Sequence, residues 1–257
     1  MRLATWNVNS VTARLPRLLD WLENTKPDVV ALQEIKTTTA AFPADAVAAL
    51  GYETAAHGDG RWNGVALLSR VGLENVTRGL VDQPGFPGPE PRAVGATCGG
   101  VRIWSVYVPN GREPDNPHYA YKLEWLAALR TTVQAELGSG PFVVTGDFNV
   151  APTDDDVFDP AAFVGATHVT PAEREALASL RAIGLVDVFP RPLKYDYPFT
   201  YWDYRAGAFP NNKGMRIDLF YADAALAATV SDAYVDRNAR KGKGPSDHAP
   251  VVVDTAD

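Results

Sequence analysis

Short apolar runs rich in β-branched residues alternate along this chain with longer stretches in which leucines recur every three or four positions. Arg2 to Asn7 places Leu3 and Thr5 on one face and Ala4 and Trp6 on the other, the two-residue period of a strand. Val29–Leu32 and Phe142–Val144 are continuous apolar runs that read as buried strands. Tyr52–Ala56, Gly64–Ser69, Val101–Val108, Arg216–Tyr221, Val230–Val235 and Val251–Val253 complete the strand predictions. Leu15, Leu18, Leu19 and Leu22 sit at helical spacing and predict a helix over Arg14–Asn24. Further helices are predicted over Phe42–Leu50, closed by Gly51, over Tyr119–Leu137, and over Pro171–Ile183, opened by Thr170. Asp154–Asp156 predicts an acidic helical turn. Pro84–Pro91, with four prolines and two glycines, predicts a surface loop. Helices are interspersed among more numerous strands, and no low-complexity linker divides the chain. The expectation is one α/β domain over residues 1–257, two packed sheets with helices outside.

Polar groups end several predicted strands. They are Asn7, Glu34, Tyr107 ahead of Pro109-Asn110, Asp147 with Asn149, Asp218, and the pair Asp247-His248. Taken singly, each is a turn residue doing ordinary work; together they argue for one shared site. The chemistry is that of a hard divalent cation, which takes oxygen ligands and few carboxylates. Glu34 offers one firm carboxylate, and Asp147 or Asp247 offers more. Asn7 and Asn149 are neutral amides that tolerate a nearby phosphate. His248 is the one histidine of four directly preceded by an acidic residue, and a second carboxylate could fix its tautomer. Such a set suits metal-assisted hydrolysis of a phosphodiester.

Composition narrows the field. The chain is 46% hydrophobic and 21% charged, enough to bury a sizeable core, and its single cysteine excludes an intramolecular disulfide and a cysteine metal cluster. MRLATWNVNS has no basic segment followed by a long apolar run, and no stretch of about 18 apolar residues occurs. A cytoplasmic protein without membrane contact is expected. The net charge of −7 runs against non-specific nucleic-acid binding, although carboxylates that hold a cation contribute to it.

TWNVNS at the amino terminus, LQE at 32–34, VYVPNG at 106–111, GDFN at 146–149, RIDLF at 216–220 and PSDHAPV at 245–251 resemble the motifs of the exonuclease III family. These are the class II AP endonucleases of the DNase I-like superfamily. The resemblance implies a four-layered α/β sandwich with two packed mixed β-sheets flanked by helices. It implies Mg²⁺, with Mn²⁺ as a substitute, held by Glu34 with Asn7 beside it and with Asp147, Asn149 and Asp247 at or near the ion. Tyr107, Asp147, Asn149, Asp218 and His248 take the catalytic positions: Tyr107 at the scissile phosphate, Asp147 on the attacking water or the leaving oxygen, Asn149 on a phosphoryl oxygen, and Asp218 orienting His248. Tyr201, Trp202 and Met215 fall where relatives place walls around a base-free sugar. Asn110, Arg112, Arg240, Lys241 and Lys243 fall where DNA would be held. His57, His118 and His168 are expected to be structural or exposed.

The implied activity is incision 5′ to abasic sites in double-stranded DNA, with 3′-phosphodiesterase and 3′→5′ exonuclease action on abasic or 3′-blocked duplexes, by a monomer. Met215 stands where many eukaryotic relatives carry tryptophan, and Arg61-Trp62-Asn63 is a less basic form of a loop that contacts DNA in some of them. The same chemistry on RNA, a phospholipid or an inositol phosphate is the first alternative. A non-catalytic DNA-binding protein on the same fold is the second.

Overall fold

The computed structural model describes residues 1–256. Its strands are β1 (Arg2–Asn7), β2 (Val29–Gln33), β3 (Glu53–His57), β4 (Val65–Ser69), β5 (Glu74–Arg78), β6 (Ala93–Cys98), β7 (Val101–Tyr107), β8 (Phe142–Asp147), β9 (Leu185–Asp187), β10 (Asp218–Asp223), β11 (Val230–Val235) and β12 (Val251–Thr255). The helices are α1 (Val11–Thr25), α2 (Ala44–Ala48), α3 (Pro117–Glu136), α4 (Pro171–Ala182) and the single turn α5 (Ala224–Ala227).

The strands form two six-stranded sheets, ordered β11-β12-β1-β2-β4-β3 and β5-β6-β7-β8-β10-β9. Each contains one parallel pair, β1 with β2 and β7 with β8, among antiparallel neighbours. The expected pair of mixed sheets is therefore present.

The two-residue period of the strands explains the layering. Leu3, Val29, Ala31 and Leu67 of the first sheet meet Ala96, Ile103, Val143 and Phe220 of the second in one buried cluster between the sheets. The alternate residues face outward. Ala4, Trp6, Val30 and Leu32 pack beneath Leu18, Trp21 and Leu22 of α1. Trp104, Phe142, Val144 and Tyr221 pack beneath Tyr121, Trp125 and Leu129 of α3 and Leu177 and Leu180 of α4. Helix, sheet, sheet and helix thus stack as four layers. Truncating a buried leucine such as Leu129 to alanine costs about 2–5 kcal/mol in such a setting.

Several boundaries differ from expectation. Helix α1 starts at Val11 rather than Arg14, because the Ser10 side chain caps it by accepting from Ala13 N. Helix α4 opens on a full capping box of Thr170 and Glu173. β10 begins at Asp218 rather than Arg216. Strands β5, β6 and β9 were not expected. Among the described residues no helix is long and apolar enough to cross a membrane.

Register does the positioning. In the parallel pairs Asn7 lies opposite Gln33 and Tyr107 opposite Asp147, and antiparallel β10 places Asp218 opposite Asp147. The carboxyl ends of β1, β2, β7 and β8 and the start of β10 therefore emerge at one edge of the sandwich, with the segment before β12 beside them.

Candidate active site

Gly146 is what lets β8 deliver Asp147 so close to β7. Its φ is +150°, and a Cβ there would stand 1.9 Å from the Val106 carbonyl oxygen. Only glycine fits without parting the strands.

Asp147 is the centre of the site. Its Oδ1 accepts from Asn149 N at 2.9 Å, and its Oδ2 accepts from Asn7 Nδ2 at 2.9 Å. The same Asn7 nitrogen donates to Glu34 Oε1 at 2.8 Å, so one amide bridges the carboxylates of the two sheets. Lys36 Nζ lies 2.9 Å from Glu34 Oε2 and donates to Asn9 Oδ1, whose amide reaches Asp247 Oδ1 at 3.1 Å. His248 Nδ1 meets Asp218 Oδ2 at 2.8 Å, and its Nε2 lies 3.8 Å from Asp147 Oδ2. The Asp218 backbone N–H and that of Ile217 both donate to Thr200 Oγ1 at 3.1 Å, which fixes the start of β10. The Asn149 amide donates to Val108 O and accepts from Asn110 Nδ2 at 3.3 Å.

Burial sets the protonation states. It pushes the Asp147 carboxyl up to about 7, reinforced by Asp218 and Glu34 and opposed by His248. Burial alone would lower His248, yet Asp218, Asp147 and Asp247 together lift it to about 10, so the ring is an imidazolium at neutral pH. Burial raises Glu34, but Lys36 and the Asn7 hydrogen bond outweigh it and hold the carboxyl below its usual range. Burial also keeps the Tyr107 hydroxyl protonated, with Glu34 adding to the effect. The Arg92 guanidinium sits 4.8 Å from the Tyr107 ring centroid and braces it.

Glu34, Tyr107, Asp147, Asn149, Asp247 and His248 line a cavity of about 300 Å³. Tyr201, whose ring lies 5.0 Å from that of His248, forms one wall. Phe163, Met215 and Ile217 form an apolar floor, and His168 closes the far side. Burial, with Lys122 nearby, pushes His168 down to about 4. A neutral ring beside the Asn149 carbonyl must carry its proton on Nδ1, because a carbonyl only accepts.

The residues fit a hard divalent cation. Glu34, Asp147 and His248 each present an atom within 4.8 Å of the others. Glu34 and Asp147 supply the carboxylate oxygens that a hard divalent cation takes, while Asn7 turns its amide nitrogen to both carboxylates and its Oδ1 accepts from Asn9 N.

The structure brings together Asn7, Glu34, Tyr107, Asn110, Asp147, Asn149, Tyr201, Met215, Asp218, Asp247 and His248. Two expectations need correction. Trp202 is buried behind the cavity among Phe199, Val235 and Val251, with its indole N–H on Asn212. Arg240 is buried against the Tyr204 and Phe209 rings and donates to Trp202 O at 3.1 Å, so it holds the loop rather than facing solvent. Lys241 and Lys243 are exposed, while their carbonyls are gripped by Arg17. Arg112 is exposed in a left-handed conformation, φ +61°, its N–H on Asn110 Oδ1. His168, Phe163 and Lys36 were not anticipated here. Lys36 carried one usable signal, a cation two residues after a proposed ligand.

Residues 4–248 match the model of the family described as "Endonuclease/Exonuclease/phosphatase family". Exodeoxyribonuclease III of Haemophilus influenzae is 30% identical over 98% of this chain and 98% of its own length. The solved 3′-5′ exonuclease NExo of Neisseria meningitidis superposes with TM-score 0.95 at 37% identity over the whole of both chains. A second NExo structure, described as a 3′ phosphatase bound to product DNA hairpin, matches at 36% identity with the same TM-score, 0.95, and the same coverage. An AP endonuclease from Archaeoglobus fulgidus superposes at TM-score 0.94 and 33% identity, again over all of both chains.

Proposed function

The chain belongs to the endonuclease/exonuclease/phosphatase family, and from that premise we propose that it is an Mg²⁺-dependent DNA repair nuclease. It cleaves the phosphodiester 5′ to abasic sites and removes blocking groups and nucleotides from 3′ ends of duplex DNA. The observation that carries the reading is the placement of Asp147. It stands between a carboxylate bridged to it by Asn7 and an imidazolium held by Asp218, in the wall of a half-apolar cavity.

Glu34 and Asp147, held together by the Asn7 amide, would hold the cation, for which Mn²⁺ can substitute. When bound, the ion draws charge from a phosphoryl oxygen and acidifies water. Asp147 is fixed from two sides, so its Oδ2 takes the proton of the attacking water. His248 presents a charged N–H to a phosphoryl oxygen, where negative charge grows in the transition state. Tyr107, kept protonated, and the second N–H of the Asn149 amide add neutral donors. Tyr201, Phe163 and Met215 offer apolar contact to a sugar without its base. The Lys241 and Lys243 side chains and Arg112 remain available to the phosphate backbone.

Both sheets contribute to the site, which supports reading residues 1–257 as one domain. The site is complete within one chain, which supports a monomer. A second reading gives 3′-terminal processing priority over internal incision, favoured by the description of the Neisseria structures as exonuclease and 3′ phosphatase. One gel separates the two. Labelled duplexes carrying an internal abasic site, a 3′-phosphate at a nick, or a recessed 3′-hydroxyl are incubated with Mg²⁺ or with chelator. Metal-dependent cleavage of the abasic duplex supports the first reading. Attack on the two 3′ ends alone supports the second. Inertness of all three overturns both.

A further inference from the structure

Lys122 and Glu173 are wholly buried, on α3 and α4, and form an ion pair behind the cavity. The ammonium is not committed to the carboxylate alone. It donates to the Asn149 carbonyl at 2.7 Å and the Asn110 carbonyl at 3.2 Å, with Thr167 Oγ1 at 3.4 Å. Glu173 gathers a third segment. Its Oε1 accepts from Thr167 Oγ1 at 2.7 Å and His168 N at 3.0 Å, and its Oε2 accepts from Thr170 N at 3.0 Å. Thr167 Oγ1 also lies 3.0 Å from the Asn110 carbonyl, and His168 Nδ1 closes on Asn149 O.

Three loops from different places in the chain therefore meet at one node. The loop after β7 carries Asn110, the loop after β8 carries Asn149, and the segment before α4 carries Thr167 and His168. Each lines the cavity. Asn149 sits at φ +50°, in the left-handed region that asparagine adopts more readily than most non-glycine residues. Its carbonyl is held by Lys122 and His168, and its side chain by Val108 and Asn110. A buried ion pair is seldom the most stable filling for its space, so this one needs a reason beyond packing.

We propose that Lys122, through its pairing with Glu173, is a positioning residue for phosphodiester cleavage. It sets the Asn149 and Asn110 loops so that the Asn149 amide meets the phosphate. This inference rests on the reading of the cavity as a phosphodiesterase site.

The test is a double substitution, Lys122→Met with Glu173→Gln, which removes both charges together and retains an acceptor for the α4 cap. Cleavage is followed on whichever duplex the unaltered protein turns over. The expected result is a 10- to 100-fold fall in kcat, on the order seen when supporting hydrogen bonds are lost, with KM for the duplex and the Mg²⁺ activation curve unchanged. Leu129→Ala, on α3 away from the site, supplies a comparison destabilised without touching the node and should keep its kcat. Placed on an Asn149→Ala background, the double substitution should cost less than twofold further, because its effect passes through Asn149. Thr167→Val, a near-isosteric change that cuts the Glu173–Thr167–Asn110 link, gives a 3- to 10-fold fall and serves if the double variant does not fold. Unchanged kcat in the double variant, or in Thr167→Val where the double variant does not fold, overturns the inference. So does a loss that multiplies fully with Asn149→Ala. No turnover by the unaltered protein on any duplex would instead overturn the functional reading beneath it.

Discussion

Asp218→Asn removes one negative charge and leaves the shape of the site intact. Asp218 Oδ2 lies 2.8 Å from His248 Nδ1, both groups are buried, and the carboxylate is the largest of the influences that lift His248 from an ordinary 6.5 to about 10. At about 1.4 kcal/mol per tenfold change in protonation, that lift corresponds to at most about 5 kcal/mol, shared with Asp147 and Asp247. Without Asp218, burial regains the upper hand, and the imidazolium loses its proton at a lower pH by on the order of two pH units. The kcat/KM profile between pH 6 and 10 should show this directly. The unaltered protein gains rate as Asp147 ionises around 7 and holds it until the pH nears 10, whereas in the variant the alkaline limb moves toward neutrality and the plateau falls about 10²–10³-fold. Stability follows with a definite sign. A raised histidine pKa stabilises the fold below 6.5, and that contribution is lost as pH rises through about 10. The stability gap between the two proteins should therefore be widest below 6.5 and close toward 10. An unmoved alkaline limb in Asp218→Asn, with His248 still charged at pH 8 by NMR, would refute the assigned role.

Two further substitutions probe the same geometry. Asp147→Asn should abolish turnover yet stabilise the metal-free protein. Burial lifts this carboxyl from 3.8 to about 7, so the ionised form costs stability that accrues as pH rises from 3.8 and is fully present above about 7. A melting temperature several degrees higher at pH 8, corresponding to about 1–3 kcal/mol, is expected, and a lower one would show that Asp147 is paired more favourably than argued. Gly146→Ala should part β7 from β8, since the new methyl group meets the Val106 carbonyl. A loss of about 2–4 kcal/mol with falling activity is expected in a denaturant titration, and a wild-type midpoint would contradict the close approach.

The polar strand ends were the legible part of the site. GDFN, LQE and SDH each follow or precede an apolar run, so a carboxylate at the edge of a sheet could be read from residue order alone. The sheets were less legible where the strands lack a pattern. β5 is exposed throughout, with Glu74, Asn75, Thr77 and Arg78 around a single valine. β6 is small-residue sequence whose Gly95 makes room for the Trp104 ring. The three residues of β9 are too few to show a period. The aromatic stretch 193–204 divides between core and cavity for a physical reason. Side-chain type does not say which face of a loop is buried, and Trp202 turned into the core while Tyr201 turned to the cavity. The position of Lys122 is legible in the sequence. Its neighbours at i+3, i+4 and i+7 are Trp125, Leu126 and Leu129, so it lies within the buried stripe of α3.

The most direct measurement pairs Mn²⁺ binding, read by electron paramagnetic resonance, with turnover of the cleavable duplex for the unaltered protein and for Glu34→Gln. The unaltered protein should bind the ion and cleave. Glu34→Gln should keep its circular dichroism spectrum and its affinity for DNA while losing tight ion binding and at least about a hundredfold in rate. Cleavage by Glu34→Gln at the unaltered rate, or cleavage by the unaltered protein in excess chelator, would contradict the claim that these strand ends build a metal-dependent phosphodiesterase centre.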